Sequence, residues 1–257
     1  MRVLVLGGTT EARQLYAALE QRTDRFAVTV SLAGATRAPV LPRLDVRIGG
    51  FGGVDGLRAW LVAHHVEAVI DATHPFAVQM SNHAVAACTQ AHVRLLRVQR
   101  PGWTPVAGDR WTRVPDMQAA ADALGTTPRR VLLTVGRKDL LPFHHVGRHD
   151  WLLRCVDAPD PALLPAGTRL LLARGPFDEA GEEALLRRER IDVIVTKNSG
   201  GTATQAKLAA ARRLGLGVIM VERPPVAPAE TVTDATAAMM WLESLSGLCG
   251  KPAHEKP

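Results

Sequence analysis

The stretch Met1-Arg-Val-Leu-Val-Leu-Gly-Gly-Thr-Thr-Glu11 decides how the chain is read. Arg2 to Leu6 is a short Val/Leu run without polar alternation, the pattern of a strand buried on both faces of a parallel sheet. Gly7 and Gly8 follow at once, and Thr9 to Leu19 has helical spacing. Strand, glycine turn and helix start set backbone N–H groups and the positive helix end against a phosphate. The G-x-G-x-x-G pattern is incomplete, with threonine hydroxyls in place of further glycines, and a plain strand–helix turn also favours Gly and a Thr cap. Gly7, Gly8, Thr9 and Thr10 are the expected nucleotide contacts. Glu11 falls in the first helical turn, where a carboxylate relieves N–H groups but would repel a pyrophosphate. A capping or ribose-contacting role is expected for it.

Outward from this stretch, strands and helices alternate. Phe26–Leu32, Leu44–Ile48, Val66–Asp71 and Val93–Val98 read as strands, with a helix over Val54–His65 and another opening at Pro75. Gly49-Gly-Phe-Gly-Gly53 lets backbone approach something closely. After the break at Pro101-Gly102 and Pro105 a second series begins. Its strands are Arg130–Val135, Asp150–Val156, Arg169–Ala173, Ile191–Thr196 and Leu216–Val221, with helices over Asp178–Glu189, Thr202–Leu214 and Thr236–Leu245. Trp111–Val114 is a short strand of either half. The fold class is α/β, with two Rossmann-like domains of mainly parallel strands over 1–105 and 106–249, and a disordered tail over 250–257.

Ligands bind such sheets outside the carboxyl ends of the strands. The acidic residue that would bond the ribose 2′-hydroxyl of NAD is missing after the second strand, where Ser31-Leu-Ala-Gly-Ala-Thr-Arg37 stands. Ser31 and Arg37 suit a 2′-phosphate and favour NADPH; a polar loop with a solvated Arg reads equally well. Thr73 and His74 end the fourth strand, and His74 is the leading titratable candidate of this half, as a proton donor, as a partner for a carboxylate, or as a residue bonding backbone. In the second half Arg137, Lys138, Arg174, Lys197, Asn198, Ser199 and Arg223 end strands. Cations at four separate strand ends suit a substrate with several carboxylates, since guanidinium pairs with them bidentately. Salt bridging and helix capping would use the same residues.

Several classes are excluded. The only tyrosine, Tyr16, has Glu20 four residues on, so the Tyr/Lys pair of short-chain dehydrogenases is absent. There is no nucleophile elbow and no P-loop. His144, His145 and His149 lack a carboxylate at ligand spacing, and no metal is expected. Net charge is +6 over 257 residues, but few aromatics and no basic tail argue against nucleic acid. No apolar stretch reaches the length of a membrane span and no leader pattern is present. Three scattered cysteines, Cys88, Cys155 and Cys249, fit a reducing cytoplasm.

Six segments together resemble the precorrin-6A reductases of cobalamin biosynthesis, with the cobalt-precorrin-6A reductases. They are Leu6-Gly-Gly-Thr-Thr-Glu-Ala12, Asp71-Ala-Thr-His-Pro-Phe-Ala77, Leu133-Thr-Val-Gly-Arg-Lys138, Ala173-Arg-Gly-Pro-Phe177, Thr196-Lys-Asn-Ser-Gly-Gly201 and Val221-Glu-Arg-Pro224. They run in order over nearly the whole chain. The resemblance implies a cleft between two domains, NADPH as hydride donor, and reduction of one double bond of the precorrin-6A macrocycle to give precorrin-6B. It implies a tetrapyrrole substrate and allows handover of intermediates between neighbouring pathway enzymes. Arg137, Lys138, Arg174, Lys197 and Arg223 would clamp carboxylates, with Lys197 or His74 as proton donor. An NADPH-linked reductase of another polyanion, or a non-catalytic tetrapyrrole- or nucleotide-binding protein, shares these features. Whether the macrocycle carries cobalt is not written in these residues.

Overall fold

Apolar runs of four to six residues become parallel strands here because helices shield both faces of each sheet. A computed structural model describes residues 1–34 and 41–248. Two compact units divide the chain: Met1–Arg100 with Pro225–Pro257, and Pro101–Pro224.

The first unit contains β1 (Arg2–Leu6), α1 (Thr10–Glu20), β2 (Ala27–Leu32), β3 (Asp45–Ile48), α2 (Gly53–Ala63), β4 (Ala68–Asp71), α3 (Val78–Ala91) and β5 (Arg94–Val98). The second contains β6 (Arg110–Val114), α4 (Met117–Leu124), β7 (Arg130–Thr134), β8 (Asp150–Cys155), β9 (Arg169–Leu172), α5 (Glu179–Arg188), β10 (Val193–Lys197), α6 (Ala206–Leu214) and β11 (Gly217–Val221). β12 (Glu230–Val232) and α7 (Ala235–Leu248) then belong to the first unit.

The first sheet has the order β12-β5-β4-β1-β2-β3, with every pair parallel. Side chains on β1 alternate between its two cores, as the pleat requires. Val3 and Val5 join Leu15 and Leu19 of α1 and Ala238 and Leu242 of α7. Leu4 and Leu6 join Leu57 and Leu61 of α2 and Ala84 and Cys88 of α3. Fully burying each such leucine contributes about 1.5–3 kcal/mol. The strand order reverses between β1 and β4, so the loops leaving those two strands flank the crevice where this topology binds ligands.

The second sheet runs β6-β11-β10-β7-β8-β9, also parallel throughout. Its reversal falls between β7 and β10. α5 and α6 cover one face through Leu185, Leu186 and Leu208, packed on Leu132, Ile194 and Val218. Both sheets thus share one plan, but the outer strand beside β11 is β6, which precedes the rest of its unit, and the one beside β5 is β12, which follows the whole second unit.

This corrects the expected division at 105/106. The boundary falls at Arg100/Pro101, and the segment after Pro224 returns to the first sheet, where β12 completes the open edge of β5 and α7 buries the apolar face of α1. Pro75 does not open α3. It sits in a tight turn closed by the Ala77 N–H donating to the His74 carbonyl at 2.7 Å, and the helix begins at Val78. The tail from 250 lies outside the described residues. No helix is long and apolar enough to cross a membrane among those residues.

Candidate active site

In the first unit the β1–α1 turn and the loop after β4 are tied together. Thr9 is the N-cap of α1: its hydroxyl accepts from the Ala12 N–H at 3.1 Å and donates to the Ala72 carbonyl at 2.9 Å. Gly7 must be glycine because a Cβ there would stand 1.5 Å from the Tyr16 hydroxyl. That phenol is buried under the turn, and burial pushes it up to about 12, so it is no acid for the chemistry. Gly8 holds φ +124° with open space where a Cβ would point. The N–H groups of Thr10 and Glu11 precede the helical ladder and are left by it as outward donors. Glu11 pairs with Arg100 at 2.5 Å. The pair cancels the negative charge that would otherwise oppose a phosphate at this helix end.

Asp71, at the end of β4, is almost fully buried. One oxygen accepts from the Thr73 N–H at 3.2 Å and the Thr73 hydroxyl at 2.7 Å; the other accepts from Arg97 Nε at 3.3 Å. Arg97 also donates to the Ala227 carbonyl at 3.0 Å. The loop that follows carries half-buried His74, whose Nδ1 accepts from the Phe76 N–H at 3.2 Å. With Nδ1 accepting, the Nε2 side of the ring is the one left to donate. Burial, and Asp71 next, push the Cys88 thiol up to about 12, so it offers no thiolate here.

In the second unit the loops after β7 and β10 flank the reversal. Asp139 folds back to accept from the Gly136 N–H at 3.0 Å and pairs with Lys197 Nζ at 2.5 Å. Lys197 therefore holds the β7 loop to the end of β10. Arg137 and Lys138 point outward from the same turn, and Arg174 is exposed after β9. Asn198 is buried: its Oδ1 accepts from the Trp103 N–H at 2.7 Å, and its Nδ2 donates to the Trp103 carbonyl at 3.1 Å and to Glu222 at 3.3 Å. Arg223 donates to the carbonyls of Asn198 and Ser199 at 2.9 and 3.1 Å. Beneath this rim Arg154 and Glu182 form a buried ion pair. Lys207, also buried, donates to the Thr204 carbonyl at 2.7 Å and lies 4.6 Å from the Trp103 ring.

A family model described as precorrin-6x reductase CbiJ/CobK matches residues 2–243. The chain belongs to this family. A precorrin-6A reductase of Rhodococcus erythropolis is 49% identical over 95% of this chain and 98% of its own length. A solved structure titled CobK precorrin-6A reductase superposes with a TM-score of 0.88 at 48% identity, covering 95% of this chain and 96% of the other. A cobalt-precorrin-6A reductase of Priestia megaterium is 28% identical, covering 87% of this chain and 91% of its own. Membership makes the chain an oxidoreductase of the cobalamin pathway, a reductase class that works with a nicotinamide cofactor.

For this family member, the residues picked from sequence fall into two kinds. Gly7, Gly8, Thr10, His74, Arg137, Lys138 and Arg174 offer groups at the carboxyl ends of strands. Thr9, Thr73, Asn198 and Arg223 have hydrogen-bonding groups engaged in holding those loops. Threonine hydroxyls therefore do not both stand in for missing glycines: Thr9 is a cap and a tie, and Thr10 accepts from Arg13 at 3.2 Å. Glu11 neither caps α1, a task taken by Thr9, nor stands alone, since it pairs with Arg100. Ser31 is buried with its hydroxyl accepting from Arg47 at 2.8 Å. Arg37 lies outside the described residues. Sequence reading missed Arg47, Asp71, Arg97 and Arg100. The signal for Arg47 was a cation in a four-residue strand directly before a glycine run.

Proposed function

We propose that the chain reduces precorrin-6A to precorrin-6B with NADPH, in the metal-free branch of corrin synthesis. The observation that carries the reading is 49% identity to a precorrin-6A reductase along nearly the whole length of both chains, against 28% to a cobalt-precorrin-6A reductase.

The first unit suits a dinucleotide. Its strand order, the Gly7-Gly8 turn with room above Gly8, the donors at the start of α1 and the neutralised Glu11 form an anion cradle. Gly7, Gly8 and Thr10 would hold the pyrophosphate, and NADPH, once bound, supplies the hydride. The chain's own task is to orient the substrate, hold its carboxylates and deliver a proton. His74 stands on a loop stiffened by Asp71 and Thr73, and Lys197 stands beside Asp139; these two side chains are the candidates for delivering the proton. Arg137, Lys138 and Arg174 suit the acetate and propionate fringe of the macrocycle.

The test is turnover by purified protein with four pairings: NADPH or NADH, with precorrin-6A or its cobalt form. The proposal expects the fastest nicotinamide oxidation with NADPH and the metal-free macrocycle. Faster turnover of the cobalt form would move the chain to the other branch, and no oxidation with any pairing would remove the reductase reading.

A further inference from the structure

We propose that Arg47, at the end of β3, is the residue that recognises the 2′-phosphate of NADPH and sets the cofactor preference. The inference rests on the reading of the first unit as the NADPH site and deepens it.

β2 and β3 lie on the side of β1 where a dinucleotide sheet places the ribose of its adenosine half. The end of β2 reads Ser31-Leu32-Ala33-Gly34 and carries no carboxylate for a free 2′-hydroxyl. Arg47 stands opposite Ser31 in the β2–β3 register. Its Nη1 donates to the Ser31 hydroxyl at 2.8 Å and the Gly49 carbonyl at 3.0 Å, and its Nη2 to the Gly50 carbonyl at 2.9 Å. The guanidinium lies 3.7 Å from the centre of the Phe51 ring.

Every one of these partners is electrically neutral. Among the described residues, no carboxylate forms an ion pair with Arg47, although most other arginines with a partly buried head have one. Burial costs this cation hydration, and its pKa is lowered for that reason. The side chain is therefore fixed in place with its charge uncompensated. A dianion arriving at the Nε side would find a pre-oriented donor edge, the geometry that suits phosphate.

The backbone beyond it supports the same ligand. Gly49, Gly50, Gly52 and Gly53 have open space where a Cβ would project, so a ligand can approach the main chain. They lead into α2, whose N-cap Gly52 supplies no side-chain cap for the first-turn N–H groups, with Asp55 as the acidic residue of that turn. The rigid cation and the uncapped helix start are separate observations on one loop.

The test measures binding of NADPH, NADH, 2′,5′-ADP and 5′-ADP to the wild type and to Arg47→Gln, Arg47→Lys and Arg37→Ala. The expected result is a wild type that prefers the 2′-phosphorylated ligand of each pair. Arg47→Gln should weaken NADPH and 2′,5′-ADP by about 10- to 100-fold while NADH and 5′-ADP change little. Arg47→Lys keeps the charge but loses the forked edge, and should fall between. Retained preference in Arg47→Gln, or its collapse in Arg37→Ala alone, would overturn the assignment while leaving the NADPH reading intact. Equal binding of both members of each pair by the wild type would overturn the NADPH reading itself, and the assignment with it. A Gln variant that fails to fold leaves the Lys variant and the Arg37 comparison to decide.

Discussion

Replacing Gly7 by Ala tests how tightly the first glycine turn is built. The added methyl would stand 1.5 Å from the Tyr16 hydroxyl, 2.8 Å from the ring carbon that bears it, and 3.5 Å from Leu32. Tyr16 is only 4% exposed and packs within the α1 face of the core, so its ring has no room to swing aside. Overpacking a filled site costs typically about 1–3 kcal/mol, and a collision this deep belongs at the upper end. At about 2–4 °C per kcal/mol, the melting point should fall by roughly 5–12 °C. Tyr16→Phe removes the 1.5 Å contact and leaves the 2.8 Å one. Gly7→Ala should therefore cost about 1–2 kcal/mol less in the Tyr16→Phe background than in the wild type. Tyr16→Phe alone should change stability little, since it deletes a buried hydroxyl that makes no hydrogen bond among the described residues. Urea denaturation followed by circular dichroism gives all four corners of the cycle. Equal costs in both backgrounds would refute the explanation of Gly7 by the tyrosine.

Other expectations follow from the same geometry. Asp71→Asn strands the buried Arg97 cation and loosens Thr73, so stability should drop by about 3–5 kcal/mol, measured by urea unfolding, and Arg97→Met in the same chain should recover part of it. Lys207 is held down to about 7 by burial first and by Arg154 second, against the pull of Glu182. A lysine lowered on folding binds fewer protons in the native than in the unfolded state between that value and its ordinary one. The wild type should therefore gain stability from pH 7 towards its ordinary titration range, and Lys207→Met should flatten that rise by on the order of a few kcal/mol. Arg174→Ala should raise the macrocycle KM about 5- to 50-fold and leave the NADPH KM unchanged, because Arg174 is exposed after β9 in the second unit, away from the dinucleotide turn of the first. An unchanged macrocycle KM would take Arg174 out of the substrate site.

The layout of both sheets was legible because their strands are short apolar runs that begin and end at glycine, proline or a charge. β1, the Gly7-Gly8 turn and the loop after β4 could be placed from sequence for that reason. β12 could not. Glu230-Thr-Val232 is three residues long and polar, and only its pairing with β5 makes it a strand. The return of α7 to the first unit was hidden for a related cause: its apolar stripe fits any helix-covered sheet, and its partner α1 lies more than 200 residues away in the chain. At the site, sequence located loops better than roles. Asn198 and Arg223 look like substrate contacts from their place at strand ends, yet their polar atoms brace Trp103 and the loop from Asn198 to Ser199. Glu11 reads as a carboxylate at odds with phosphate until Arg100 is seen beside it, and Arg100 is 89 residues away. Such partnerships depend on long-range pairing that local patterns do not encode.

Hydride transfer from NADPH to precorrin-6A is the step proposed for this chain. It is tested most directly by mixing purified protein with a measured amount of each and following nicotinamide absorbance together with the mass of the macrocycle. One NADPH should be consumed per macrocycle, and the product should be heavier by two hydrogens. Tight binding of both compounds with neither change would contradict it.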